Sequence, residues 1–154
     1  MGNDTTQTER DYHRKFAVDL FNFVWTLLDK PERTAEENDL MLHAAHASRY
    51  HWGEAGMAVN LTRGEWLVSR VYAVLKRPEP ALYHARRCLE ICQQNGIGDF
   101  DLAFAYEALA RASAIAGQHA EREQYLALAR EAAEHIAEQD DKDLLLSDLA
   151  TMPG

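Results

Sequence analysis

The sequence has almost no cysteine: Cys88 and Cys92 are the only two among 154 residues, and they lie four positions apart. A secreted scaffold held by disulfides is therefore excluded, and we interpret both thiols as small buried hydrophobes. No apolar run approaches the roughly 20 residues that a membrane-spanning helix needs. The first residues have neither the basic nor the apolar segment of a secretory signal. We therefore expect a cytoplasmic protein without membrane contact.

Basic residues are also few. The chain has 16 Lys and Arg against 25 Asp and Glu, a formal net charge of −9. Binding to nucleic acid or to an anionic membrane depends on clustered positive charge, so this balance disfavours both partners. The excess of acid lies in the second half, since residues 1–77 hold 10 basic and 11 acidic residues whereas residues 78–154 hold 6 and 14.

β-Branched residues are the third shortage: six Val, four Ile and seven Thr stand against 24 Ala and 18 Leu. Ala and Leu lead the helix-propensity scale, and no stretch keeps the period-2 alternation of a half-buried strand. A chain of this length usually forms a single domain with one core. The sequence therefore predicts one all-α domain over residues 8–150.

Capping residues and helix breakers set the predicted boundaries. Three patterns match the capping box that starts a helix, and these are Thr8 with Asp11, Thr34 with Glu37, and Thr62 with Glu65. A start nearer Asn60 is the alternative for the third helix. Gly and Pro residues between the helical segments end them. The result is three antiparallel hairpins over about 8–52, 60–95 and 99–139, followed by a short C-terminal helix over 142–150. Residues 1–7 are expected to be a flexible N-terminus.

The second and third hairpins share a pattern of small and apolar residues. In the second hairpin the pattern is formed by Val68, Ser69, Tyr72, Ala81, Ala85, Cys88 and Leu89. In the third it is formed by Leu109, Ala110, Gly117 and Ala129, although Arg122 stands where the pattern prefers Ala. The segment 65–136 thus resembles two tetratricopeptide (TPR) repeats of the longer variety, with residues 10–52 as a third, diverged hairpin. This resemblance implies hairpins stacked as a short right-handed superhelix.

The resemblance also implies a function. TPR proteins bind peptides or partner proteins along the concave surface formed by the first helix of each hairpin, without catalysis and without a cofactor. In this chain the corresponding groove positions of the second and third hairpins are Arg63, Trp66, Arg70, Phe104, Glu107 and Arg111. The first hairpin adds Val18, Phe21 and Trp25. We therefore expect a non-enzymatic scaffold that binds a protein or peptide.

Arg63, Trp66 and Arg70 form the strongest candidate site. Their i, i+3, i+7 spacing places them on one helix face, where two guanidinium groups flank an indole. Guanidinium groups bind carboxylates in a bidentate manner, so the patch predicts an acidic peptide or a terminal carboxylate as ligand. In the alternative interpretation Trp66 belongs to the core and the arginines form ion pairs within the chain, with partners among Glu65, Asp99 and Glu107.

The first helix has a second apolar stripe. Phe21, Trp25 and Leu28 lie more than about 100° around the helix from its main apolar face. A helix that is apolar on two faces must bury both or present one of them to a partner. The stripe therefore indicates packing against a neighbouring helix, a ligand groove, or a homodimer interface built on Phe21 and Trp25.

The histidine-rich second helix suggests a competing function. Asp39, His43 and His46 are spaced i, i+4 and i+7 and share one helix face. Imidazole and carboxylate groups are common ligands of zinc and iron, so a metal-binding protein or metal-dependent enzyme is the alternative to a scaffold. The sequence has no nucleophile elbow, phosphate-binding loop or dinucleotide fingerprint.

Overall fold

A computed structural model describes residues 8–154, so the expectation for residues 1–7 lies outside the described part of the chain. Residues 8–154 form seven helices and no strand, which confirms the prediction of an all-α fold. The helices are α1 (Glu9–Leu28), α2 (Ala35–Ala55), α3 (Ala58–Val74), α4 (Pro78–Asn95), α5 (Asp99–Ile115), α6 (His119–Glu134) and α7 (Gln139–Leu149). None of these described helices is long and apolar enough to cross a membrane.

Two of the three predicted capping boxes start helices. The hydroxyl of Thr8 accepts a hydrogen bond from the backbone N–H of Asp11 at 3.2 Å, and the Asp11 carboxylate accepts one from the N–H of Thr8 at 3.1 Å. Thr34 and Glu37 repeat this exchange at 3.1 and 3.0 Å at the start of α2. Each box satisfies backbone donors that the first turn of a helix leaves without an intrahelical partner.

The capping box predicted at Thr62 is wrong. Helix α3 begins at Ala58, where the side chain of Asn60 accepts a hydrogen bond from the N–H of Met57 at 3.0 Å. Thr62 lies inside the helix, and its buried hydroxyl donates to the backbone carbonyl of Cys88 at 2.8 Å. The spacing of Thr62 and Glu65 gave a wrong prediction because the hydrogen-bond partner of this hydroxyl lies on α4, 26 residues further along the chain.

Consecutive helices pack as hairpins, α1 with α2, α3 with α4 and α5 with α6. Helix α3 also contacts both α1 and α5, so the first helices of the three hairpins lie side by side in one layer. Helices α3 and α5 are the most deeply buried, and small residues such as Ala105, Ala108 and Ala112 let the neighbours of α5 approach closely. The short helix α7 packs against α5 and α6 at the end of the stack.

The helix ends follow the predicted breakers except at the first hairpin, where α2 runs past residue 52 to Ala55, and at the third hairpin. Gly96 ends α4 in the left-handed conformation with φ of 63°, which glycine adopts without strain. The third hairpin was expected to continue to residue 139, but α6 ends at Glu134 and α7 already begins at Gln139. The carboxylate of Asp99 accepts a hydrogen bond from the N–H of Ala137 at 3.2 Å, which ties this connection to the start of α5.

Candidate functional site

A cavity of about 710 Å³ opens on the layer formed by α1, α3 and α5, and α7 forms one side of it. Its apolar lining is mainly aromatic and consists of Phe21, Trp25, Trp66, Phe100, Phe104 and the side chain of Leu144. Its other lining residues are Thr62, Arg63, Cys88, Asp101, Asp141 and Asp148. Mostly apolar cavities of roughly 300–1,000 Å³ with a few polar groups are the usual form of ligand sites.

The aromatic side chains of the cavity contact one another in sequence from α1 to α5. Trp25 stacks on Trp66 with ring centroids 5.7 Å apart and planes inclined by 21°. Trp66 meets Phe104 edge-to-face at 5.7 Å, and Phe104 lies 4.6 Å from Phe100. Such ring pairs add to the stability gained from burial. They therefore hold the cavity wall in a defined shape before any ligand arrives.

The structure brings five of the nine predicted groove positions to this cavity, namely Phe21, Trp25, Arg63, Trp66 and Phe104. Three more, Arg70, Glu107 and Arg111, lie beside it in a buried network of ion pairs. Val18, the remaining position implied by the repeat pattern, is exposed and lies outside this cavity. Phe21 and Trp25 are half-buried, so part of each ring stays exposed. A homodimer interface built on these two residues stays a prediction.

Glu107 is the centre of the buried network. One carboxylate oxygen accepts hydrogen bonds from Arg70 at 3.0 Å and Arg111 at 2.8 Å. The other accepts the indole N–H of Trp66 at 3.0 Å, which fixes the orientation of that cavity ring. Glu107 itself has no exposed surface. Three donors thus compensate the loss of water around its charge.

Asp148 extends this network onto α7. Its carboxylate forms an ion pair with Arg70, and its backbone carbonyl accepts a hydrogen bond from Arg111 at 3.0 Å. Burial by itself lowers the pKa of Arg70, but the carboxylates of Glu107 and Asp148 outweigh that effect and raise it above its ordinary value. Arg70 is therefore held charged by two carboxylates of the chain itself.

Arg63 is paired as well. It forms a bidentate contact with Asp101, with Nε to Oδ1 at 2.8 Å and Nη2 to Oδ2 at 3.2 Å. The hydrogen bonds from Arg63 to Asp101 outweigh partial burial and raise the pKa of the arginine. The alternative interpretation was that these arginines form ion pairs within the chain. Of the partners expected for them, Glu107 does bind Arg70, whereas Glu65 pairs with an arginine and a histidine of other helices.

The two cysteines lie under the cavity as buried thiols. Thr62 Oγ1 is 3.2 Å from the sulfur of Cys88 and 3.2 Å from that of Cys92. The hydrogen bond with Cys92 and burial raise the pKa of the Cys88 thiol, which keeps it protonated and unreactive. The interpretation of these residues as small buried hydrophobes agrees with this environment.

The histidines of α2 do not come together with their expected partner. Asp39, His43 and His46 are all exposed, and His46 Nε2 lies 2.7 Å from the hydroxyl of Tyr72 on α3. Within residues 8–154 no three His, Cys, Asp or Glu side chains are grouped closely enough to hold one ion. The sequence spacing of Asp39, His43 and His46 therefore favours a metal site, but their side chains are not arranged as the ligands of one ion.

Seven cavity residues were not predicted as groove residues: Thr62 and Cys88, which were expected to be a helix cap and a buried hydrophobe, and Phe100, Asp101, Asp141, Leu144 and Asp148. Phe100 and Asp101 had a usable signal, because they lie one turn before Phe104 on the same helix face. Asp141, Leu144 and Asp148 are spaced i, i+3 and i+7, but acids at this spacing are typical of a solvated helix face. Only the position of α7 reveals their role.

Comparisons with known proteins give no family for this chain. A scan against protein-family models matches none, and searches of curated proteins and of solved structures return no significant match.

Proposed function

We propose that this protein is a non-enzymatic, TPR-type scaffold that binds a peptide segment of a partner protein. The observation that supports it is the cavity on the layer of α1, α3 and α5, with five aromatic rings in its lining. Aromatic anchors and pockets of this kind contribute most of the binding energy at protein interfaces. A side chain of the peptide enters the cavity and the neighbouring residues of the peptide lie along the layer.

The state of the arginines argues against an acidic anchor. Each arginine already binds a carboxylate of the chain: Arg63 binds Asp101 at 2.8 Å, and Arg70 and Arg111 bind Glu107 at 3.0 and 2.8 Å. A ligand carboxylate would have to displace these partners and leave a buried acid unpaired, which costs several kcal/mol. The rings of Phe21, Trp25 and Phe100, in contrast, are partly exposed and can be contacted by a ligand without any such exchange.

The residues that line the cavity favour binding over catalysis. No histidine is among them, and the hydroxyl of Thr62 already donates to the carbonyl of Cys88. The Cys88 thiol is protonated and nearly inaccessible. A nucleophile with an adjacent base, which group-transfer chemistry requires, is therefore not found among the lining residues that the structure describes.

Selection from a displayed library of random dodecapeptides tests this function, with two matched variants of α7. Leu144 lines the cavity and is exposed, so Leu144→Trp fills the cavity without removing a core contact. Leu146 is similarly exposed on the same helix but lies outside the cavity, so Leu146→Trp adds the same side chain elsewhere.

We expect peptides that bind the wild type and the Leu146→Trp protein but lose at least about tenfold in affinity for the Leu144→Trp protein, because an anchor pocket dominates such interfaces. A selection that yields only peptides insensitive to Leu144→Trp would place binding elsewhere and refute the proposal. Circular dichroism of both variants checks that the helices stay intact.

A further inference from the structure

The charges around the aromatic cavity are not balanced. Three guanidinium groups and four carboxylates lie in the cavity and its adjoining network, and these are Arg63, Arg70 and Arg111 against Asp101, Glu107, Asp141 and Asp148. Asp101 is paired with Arg63, and the two other arginines share Glu107 and Asp148. Asp141 lines the cavity and forms no ion pair within the described residues, although its charge also acts on Arg63 over a longer distance. One negative charge therefore remains there.

The cavity rings already hold guanidinium groups of the chain itself. Arg70 lies over the ring of Trp66 at 4.9 Å, and Arg63 lies over the ring of Phe100 at 5.9 Å. A cation over an aromatic face is attracted by the ring electrons, and more strongly where water is excluded. Among residues 8–154 no cation lies over Phe21 or Trp25, which line the same cavity. These two rings can therefore receive a further cation.

The electrostatic field of the whole chain has the same sign as this local excess. The formal net charge is −9, and residues 78–154, which include the α5 and α7 sides of the cavity, hold 14 acidic residues against 6 basic ones. Such a field attracts positively charged partners and accelerates their association. Charge and aromatic surface thus select the same kind of ligand.

We propose that the cavity binds an arginine side chain of the partner peptide, with its guanidinium against the aromatic wall and Asp141 as its counter-charge. This inference rests on the proposed peptide-binding function and specifies its ligand. Arginine fits better than lysine, because its planar guanidinium is more weakly hydrated and stacks on aromatic rings. The carbon chain of the arginine covers apolar surface of the cavity at the same time.

Three blocked dipeptides test this chemistry directly: acetyl-phenylalanyl-arginine amide, its citrulline counterpart and its glutamate counterpart. Citrulline has nearly the shape of arginine but no charge, so the first pair isolates the charge. Binding is followed by NMR through the indole N–H signals of Trp25 and Trp66, which line the cavity. Trp52, the third tryptophan, lies outside it and serves as the internal reference.

The matched variants are Asp141→Asn and Asp140→Asn. Both acids lie in the first turn of α7, so each substitution removes one negative charge and a similar interaction with the helix dipole. Only Asp141 lines the cavity. A difference between the two variants therefore reports the local role of Asp141 rather than the net charge.

We expect the arginine peptide to bind the wild type at least about fivefold more tightly than the citrulline peptide. The ratio should fall towards one in Asp141→Asn and persist in Asp140→Asn. Equal or tighter binding of the citrulline or glutamate peptide, no shift of the Trp25 and Trp66 signals, or equal effects of both variants would overturn the inference. Cavity-dependent peptides without arginine from the display selection would leave the scaffold function standing and refute only its arginine specificity.

Discussion

Glu107 shows how a single residue controls the cavity wall without touching a ligand. Its buried carboxylate accepts hydrogen bonds from Arg70, Arg111 and the indole of Trp66, and so joins α3 to α5. A buried ion pair adds little net stability while it is intact, because desolvation offsets the attraction. Loss of one partner is costly, since the other charges then remain buried without compensation.

Glu107→Gln should therefore lower the free energy of unfolding by about 3 kcal/mol, because it leaves two buried guanidinium groups with one fewer carboxylate. Glu90→Gln is the matched control, since Glu90 pairs with Arg87 on the surface and its loss should cost less than about 1 kcal/mol. Urea unfolding followed by circular dichroism measures both values. Similar losses in the two variants would contradict a central role for Glu107.

At the scale of elements, α1 and α2 are joined by a pair of histidines. His13 Nδ1 and His51 Nδ1 lie 2.8 Å apart, so one ring nitrogen must donate a hydrogen while the other accepts it. Protonation of both rings removes the acceptor and places two positive charges side by side. Burial and the charge of His13 lower the pKa of His51, and Glu54 opposes this only in part.

The hairpin should consequently lose stability as the pH falls. The folded-state pKa of His51 lies below the unfolded value of about 6.5, so the unfolded chain takes up more protons in this window and stability decreases below about pH 6.5. Urea midpoints at pH 7.5 and 5.5 should differ less in His51→Gln than in the wild type. His43→Gln, at an exposed position of the same helix, should retain the wild-type difference. An unchanged difference in His51→Gln would contradict this assignment.

At the scale of the whole molecule, α7 completes both the core and the cavity. Leu145 and Leu149 are buried in the main core, whereas Asp141, Leu144 and Asp148 lie on the cavity side of the same helix. The helix thus binds the end of the stack through one face and shapes the cavity with another. Its two roles depend on the same docked position.

Leu145→Ala should lower the free energy of unfolding by about 2–5 kcal/mol, because it leaves a void at a fully buried site. Leu146→Ala, next along the chain but exposed, should stay within about 0.5 kcal/mol of the wild type. Chemical unfolding compares the two variants. Equal stabilities would mean that α7 is not docked in the core.

Much of the fold could be read from local signals in the sequence. Thr8, Thr34 and Gly96 begin or end helices as predicted, because capping and left-handed turns depend on residues only a few positions apart. The scarcity of β-branched residues likewise determined the helix class. Of the predicted groove, the aromatic residues reach one cavity, since helical spacing places them on shared faces.

Only the tertiary structure decided which partner each polar side chain has. Arg70 is spaced to face a groove, yet it is neutralised by Asp148, 78 residues further along the chain. Thr62 has the pattern of a cap but is buried against α4. Such pairings arise from the packing of distant helices, and no local pattern records them. The sequence determined the helices and their aromatic faces, whereas the docking of α7 determined the shape and charge of the cavity.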